Sequence, residues 1–166
     1  MRLLEEFGIE YDHSMMHHDC QPYYVGDAVS NNVPTDYTKD MDTWMVPMTK
    51  LQTRNVVEIP ASWSLDDWPP LQYSGRSAGT HGFVDVGVVQ RSWEEQFDYF
   101  YREYESFVFC VSVHPQVSGR AHVMLMHERF LAFLKGHEGV EFCPCEKICE
   151  EFKAERLGGV TISGGV

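Results

Sequence analysis

The stretch YDHSMMHHDC, residues 11 to 20, packs three histidines, two aspartates and a cysteine into ten positions. Neutral imidazole is the commonest metal ligand and acid/base group, so this density asks what it faces. His13 and His17 are four residues apart, a spacing that puts both rings on one face of a helix and makes them candidate metal ligands. The same stretch offers Asp12, His13 and Asp19 as polar groups of a substrate pocket, or a plain surface loop. Cys20 beside imidazoles is a further candidate, as a nucleophile. Two more places carry chemistry: Asp66, Asp67 and Trp68 in ASWSLDDWPP, and His114 in SVHPQVSGR. A carboxylate beside an imidazole fixes its tautomer and raises its basicity, which a catalytic acid or base requires. Pro115 disfavours the α region for His114 and holds it in extended geometry. Cys143, Cys145 and Cys149 resemble half of a zinc site, but a closed site needs a fourth ligand at recognisable spacing and none is evident. Free thiols are the expectation.

The elements that must position these groups follow from periodicity. Residues 2 to 7 read as a helix stopped by Gly8, and IEY as a short strand. The segment 20 to 54 reads as a long loop with a short helix between Asp40 and Leu51, and NVVEIP as a strand ended by Pro60. The prolines of DDWPP are expected to forbid regular structure, and glycine-rich 71 to 89 to be irregular. Trp93, Phe97, Phe100, Tyr101 and Tyr104 recur at helical steps over 91 to 105, with Ser92 as the expected cap. FVFCVSV, residues 107 to 113, has the continuous apolar character of a strand buried on both faces. A helix from Ala121, with His122, His127 and His137 as solvated or capping residues, a strand VEFC and a final helix CEKICEEFKAER complete the order. Strands alternating with helices imply an α/β fold with parallel pairing, in which functional groups gather at the carboxyl ends of strands. Asp12 and His13, Asp66 and Asp67, and His114 all follow strands, so one shared rim is the expectation.

With 166 residues the chain has the size of one domain: 1 to 153 as the folded unit, 154 to 166 as a flexible glycine-rich tail. A net charge of -12, from 13 Lys and Arg against 25 Asp and Glu, argues against nucleic acid and anionic membrane surfaces. No apolar run approaches the roughly 20 residues of a membrane span, and the N-terminus lacks a signal-peptide pattern, so a cytoplasmic location is expected.

VEIPASWSLDDWPP, SVHPQVSGR and MHERFLAFLKGHEGVEF together resemble the C-terminal half of the NodB-like polysaccharide deacetylases, in the branch of peptidoglycan deacetylases and cyclic-amide hydrolases. The resemblance implies a partial (β/α) deacetylase-type barrel lacking its N-terminal strands. It also implies hydrolysis of a non-peptide amide, in an acetamido sugar or a related compound, with zinc or another divalent metal held by one Asp and two His. In that reading His114 protonates the departing amine, Asp67 orients it with Asp66 as alternative, and Trp68 and Arg120 belong to the substrate pocket. The family's TFD-D motif, which bears the base and the first metal ligand, has no counterpart here, so a metal in the complete family fold and none in this chain is the alternative expectation. The alternative is a truncated, catalytically inactive member. Unpaired strand edges would then need a homo-oligomer or a partner to cover them.

Overall fold

The computed structural model describes residues 2–26, 35–44, 53–75 and 82–159. Helix α1 (Arg2–Glu6) ends at Gly8, whose φ of 70° is a conformation glycine adopts without a Cβ clash. Strands β1 (Tyr11–Asp12), β2 (Tyr23–Gly26) and β3 (Thr53–Glu58) form a sheet in the order β1-β3-β2. β1 runs parallel to β3, with Tyr11 opposite Val57 and Asp12 opposite Glu58. β2 is antiparallel to β3, so uniformly parallel pairing fails there. β2 also falls in the stretch expected to be loop. It follows β1 through a short connection without a helix, and antiparallel pairing needs no crossover.

After β3 a 3-10 turn (Trp63–Leu65) leads to Asp66 and Asp67 and into α2 (Trp68–Leu71). Pro69 and Pro70 do not break regular structure as expected. They occupy the first turn of α2, where an N–H has no intrahelical partner to lose. Helix α3 (Val86–Glu103) starts before Arg91, and its cap is Asp85, whose side chain accepts from Gly87 N at 2.7 Å, rather than Ser92. Its buried stripe of Val89, Trp93, Phe97 and Phe100 packs against Val123, Met126, Phe130 and Leu134 of α5 (Ala121–Lys135). The single-turn helix α4 (Pro115–Ser118) precedes α5, and α6 (Cys145–Lys153) closes the order.

The run 107–113 is extended but is not a two-sided buried strand. Val108 N donates to Cys20 O, Ser112 N donates to Leu65 O, and Asp67 N donates to Ser112 O. Among the described residues the backbone between these ends has no backbone hydrogen-bond partner, and a ladder exists only where a second backbone supplies one. Phe107, Phe109 and Val111 still pack on the core of α3 and α5. Residues 140–143 likewise form no strand; Val140 packs on the core and Phe142 is exposed.

Of the helix expected between Asp40 and Leu51, the described part is a 3-10 turn at Met41–Thr43, and 45–52 lie outside the described residues, as do 76–81 of the glycine-rich stretch. Gly158 N, in the expected flexible tail, donates to Ser106 Oγ at 3.1 Å; residues 160–166 lie outside the described residues. Among the described residues no helix is long and apolar enough to cross a membrane. All five cysteines are free.

Candidate functional site

The parallel bridge between Asp66 and Ser112 joins the segment after β3 to the end of the 107–113 run. It brings the acidic pair beside His114, two residues further on. His114 is extended, φ -107° and ψ 121°, as expected for a residue ahead of Pro115. Its Nδ1 lies 2.6 Å from Asp67 Oδ1 and its backbone N donates to Asp67 Oδ2 at 2.9 Å. Ser118 Oγ donates a short hydrogen bond to the same Oδ2. Asp67 is fully buried, whereas the His114 side chain is 37% exposed, so the carboxylate sits behind a ring that reaches solvent. Because Asp67 accepts at Nδ1, that nitrogen carries the proton and Nε2 is the uncommitted one.

Asp66 has a different task. Its Oδ1 accepts from Trp68 N at 2.7 Å and lies 3.7 Å from His114 Nδ1, too far for a hydrogen bond. Of the two acids, Asp67 is the one hydrogen-bonded to the ring. The Trp68 ring lies against His114 with centroids 4.9 Å apart, covering one face of the imidazole. The exposed Arg120 donates to Leu71 O at 3.0 Å and to Gln72 Oε1 at 2.9 Å, tying the loop after α4 to the end of α2.

The opening cluster makes its contacts around the end of β3. Asp12 accepts from Ser14 Oγ at 2.5 Å, and His13 Nδ1 is 2.7 Å from Ile59 O, both against the end of β3. Residues 13–16 have no helical structure, so the spacing of His13 and His17 does not put them on a helix face. His17 and Asp19 are exposed; His17 N donates to Tyr23 OH at 3.3 Å. His18 Nδ1 accepts from Cys20 N and Gln21 N. Cys20 is buried, and that burial pushes its thiol up to about 11, which removes thiolate character at neutral pH.

Sequence reasoning missed Glu58. It is fully buried at the end of β3, its Oε1 accepts from Ser14 N at 2.8 Å and Met15 N at 2.7 Å, and its Oε2 has no partner. Burial pushes its carboxyl up to about 7, opposed by the two backbone donors and aided by Asp12 nearby. The available signal was a lone acid inside the apolar run NVVEIP.

Among the described residues, one group of three potential metal ligands lies close together, Asp66, Asp67 and His114, with ligand atoms within 4.8 Å of one another. Neither His13 nor His17 belongs to it. The group leaves too few free atoms for a catalytic metal centre, which takes about three protein ligands: at most His114 Nε2 and Asp66 Oδ2. Both oxygens of Asp67 and Nδ1 of His114 are spent on bonds to each other, to the His114 backbone and to Ser118, and Asp66 Oδ1 is spent on Trp68 N. What the arrangement can do is hold an imidazole in one tautomer and stabilise it when it gains a proton.

No family model matches the chain. It is 41% identical over 152 residues to a peptidoglycan deacetylase of Helicobacter pylori, covering 90% of this chain and 51% of that protein. It is 35% identical over 162 residues to a peptidoglycan deacetylase-like protein of Gibberella zeae, covering 93% and 47%. The chain thus spans about half the length of the curated relatives it matches. Among solved structures, a Mycobacterium smegmatis protein described as a polysaccharide deacetylase superposes with a TM-score of 0.69 at 22% identity, over 99% of this chain and 48% of that one. That likeness shows a shared fold, of which this chain is a partial α/β portion.

Proposed function

We infer the function from one premise: the chain belongs to the NodB-like polysaccharide deacetylase family. The proposal is that it forms the acid-bearing part of a hydrolase of non-peptide amides, with an acetamido sugar as the leading substrate class. The observation that carries this reading is the 2.6 Å bond between His114 Nδ1 and the fully buried Asp67. Held with its proton on Nδ1, the ring takes up a second proton at Nε2 and becomes an imidazolium that the carboxylate stabilises. As the amide C–N bond breaks, the departing nitrogen takes that proton from Nε2, leaves as an amine, and the ring returns to neutral. Trp68 limits where the leaving group approaches by covering one face of the ring. Asp12, His13 and Asp19 remain proposed pocket residues on the strength of the sequence pattern alone. Arg120 is proposed to shape the pocket by tethering its two loops.

The family resemblance implies a divalent metal to activate the attacking water. Among the described residues the acid and imidazole group beside it leaves too few free atoms to hold such an ion. That misfit favours a second reading, in which this chain on its own is inactive and hydrolysis needs metal ligands from outside it.

The test fuses this chain to the part of the H. pylori peptidoglycan deacetylase that it does not cover and measures acetate release from N-acetylated glycan. The fusion should release acetate, and His114→Ala should lower the rate about 100-fold or more, the usual worth of a general acid. A His114→Ala fusion as fast as its parent sinks the proposal. The chain alone, assayed beside it, decides between the two readings.

A further inference from the structure

We propose that Ser118 and His127 are positioning residues for His114, acting through Asp67 as a chain of hydrogen bonds that runs from α5 to the exposed ring. This rests on the reading of His114 as the acid and extends it to two residues that touch no substrate.

The direction of each bond follows from donor capacity. Asp67 can only accept when ionised, so Ser118 Oγ donates its single proton to Oδ2. The hydroxyl has then no proton left for His127, whose Nε2 lies 2.8 Å away, so Nε2 must carry the proton and donate. The chain reads His127 Nε2–H to Ser118 Oγ–H to Asp67 Oδ2, with Asp67 Oδ1 accepting from His114 Nδ1–H. Reversing the His127 link would send the hydroxyl proton away from Asp67 and leave Ser118 Oγ and the ionised carboxylate facing each other as two acceptors. His127 suits a neutral donor role: burial holds its imidazole below the ordinary value, with Asp67 acting the other way. The expectation of a solvated or capping His127 is therefore corrected. It is half-buried, its ring lies 5.8 Å from that of Trp93, and with Ser118 it lines an apolar groove of about 440 Å³ beside Phe109, Phe130 and Leu134. In apolar surroundings a partner is worth keeping, because an unpaired polar group there gains nothing from water.

The function of the chain is orientation. A carboxylate held at both oxygens cannot swing about its last torsion, so Oδ1 stays in line with Nδ1 and the imidazole keeps one tautomer. Without the hydroxyl, only the His114 backbone N–H restrains Oδ2.

The test is NMR on this chain labelled with nitrogen-15 at histidine, reading the tautomer of each ring without substrate. In the unsubstituted chain His114 should show Nδ1–H and His127 Nε2–H. Ser118→Ala should raise the minor tautomer of His114 about tenfold, the factor that corresponds to ~1.4 kcal/mol. His127→Phe, which keeps a ring against Trp93 but no donor, should raise it less. His127→Gln, whose amide N–H can replace Nε2–H, should restore the original ratio. A purely structural role would change stability while leaving the tautomer of His114 alone. An unchanged His114 tautomer in folded Ser118→Ala and His127→Phe chains overturns the proposal, as does an Nδ1–H tautomer at His127. Since no substrate enters, loss of the chain of bonds and loss of hydrolysis in the His114→Ala fusion are separate outcomes.

Discussion

Two fully buried acids, Asp67 and Glu58, lie at the ends of neighbouring segments and are treated differently by their surroundings. Asp67 receives three donors spread over both oxygens, from the His114 ring, the His114 backbone and Ser118. Glu58 receives two, both on Oε1, and its Oε2 faces no donor. A buried carboxylate with both oxygens occupied is an oriented acceptor. One with an empty oxygen is better off carrying its own proton. The contrast suits Asp67 to the proposed site and Glu58 to the wall that holds Ser14 and Met15 against β3.

The contrast breaks most visibly at Asp67. Asp67→Ala removes the common acceptor of three donors and leaves them facing an apolar interior. The expected cost is about 3–5 kcal/mol, the range for losing one partner of a buried charged network. Urea unfolding at pH 7 measures it. A cost below about 1 kcal/mol would mean that water or a shifted backbone replaces Asp67, and its distinction from Glu58 would vanish.

Glu58 gives the converse effect, with a sign set by the raised carboxyl. An acid near 4.5 when unfolded and about 7 when folded holds its proton more tightly in the fold. Its contribution is most favourable below the unfolded value and is lost as pH rises from there through the folded value. The loss amounts to roughly 3 kcal/mol, at 1.36 kcal/mol for each unit. Glu58→Gln keeps an acceptor for Ser14 N and Met15 N and cannot ionise. It should match the parent near pH 4 and exceed it in stability by roughly 2–3 kcal/mol at pH 8. Unfolding curves of both chains across this range decide the matter, and a difference that does not change with pH sinks the assignment.

How much of this was legible depends on where the signal lies. His114 and Asp67 each sit beside a local marker: a proline that fixes the histidine backbone, and the DDWPP turn after an apolar strand. Their pairing was an expectation of the α/β pattern, and the structure brings the two side chains together. Asp12 and His13 obey the same strand-end rule, but their side chains bond locally, Asp12 to Ser14 Oγ and His13 to Ile59 O just past β3. The link from Ser118 to His127 spans a turn between two helices, which no helical spacing reports. The run 107–113 has the composition of a strand, yet a ladder is a property of two backbones and cannot be read from one. β2 was hidden for a related reason. Its four residues are too few for alternation to stand out, and its register comes from β3.

Asp85 extends the comparison to an exposed carboxylate and gives the smallest effect. It caps α3 by accepting from Gly87 N at 2.7 Å while its backbone carbonyl accepts from Val88 N. Water can replace the side-chain acceptor at an exposed site, so Asp85→Ala should cost about 1 kcal/mol, the usual loss on removing a helix cap. Asp85→Asn keeps the accepting oxygen and should cost only a few tenths. Thermal or urea unfolding of the two variants separates the cap from the charge. If Asp85→Ala cost as much as Asp67→Ala, burial would no longer explain why one carboxylate is structurally indispensable and another merely useful.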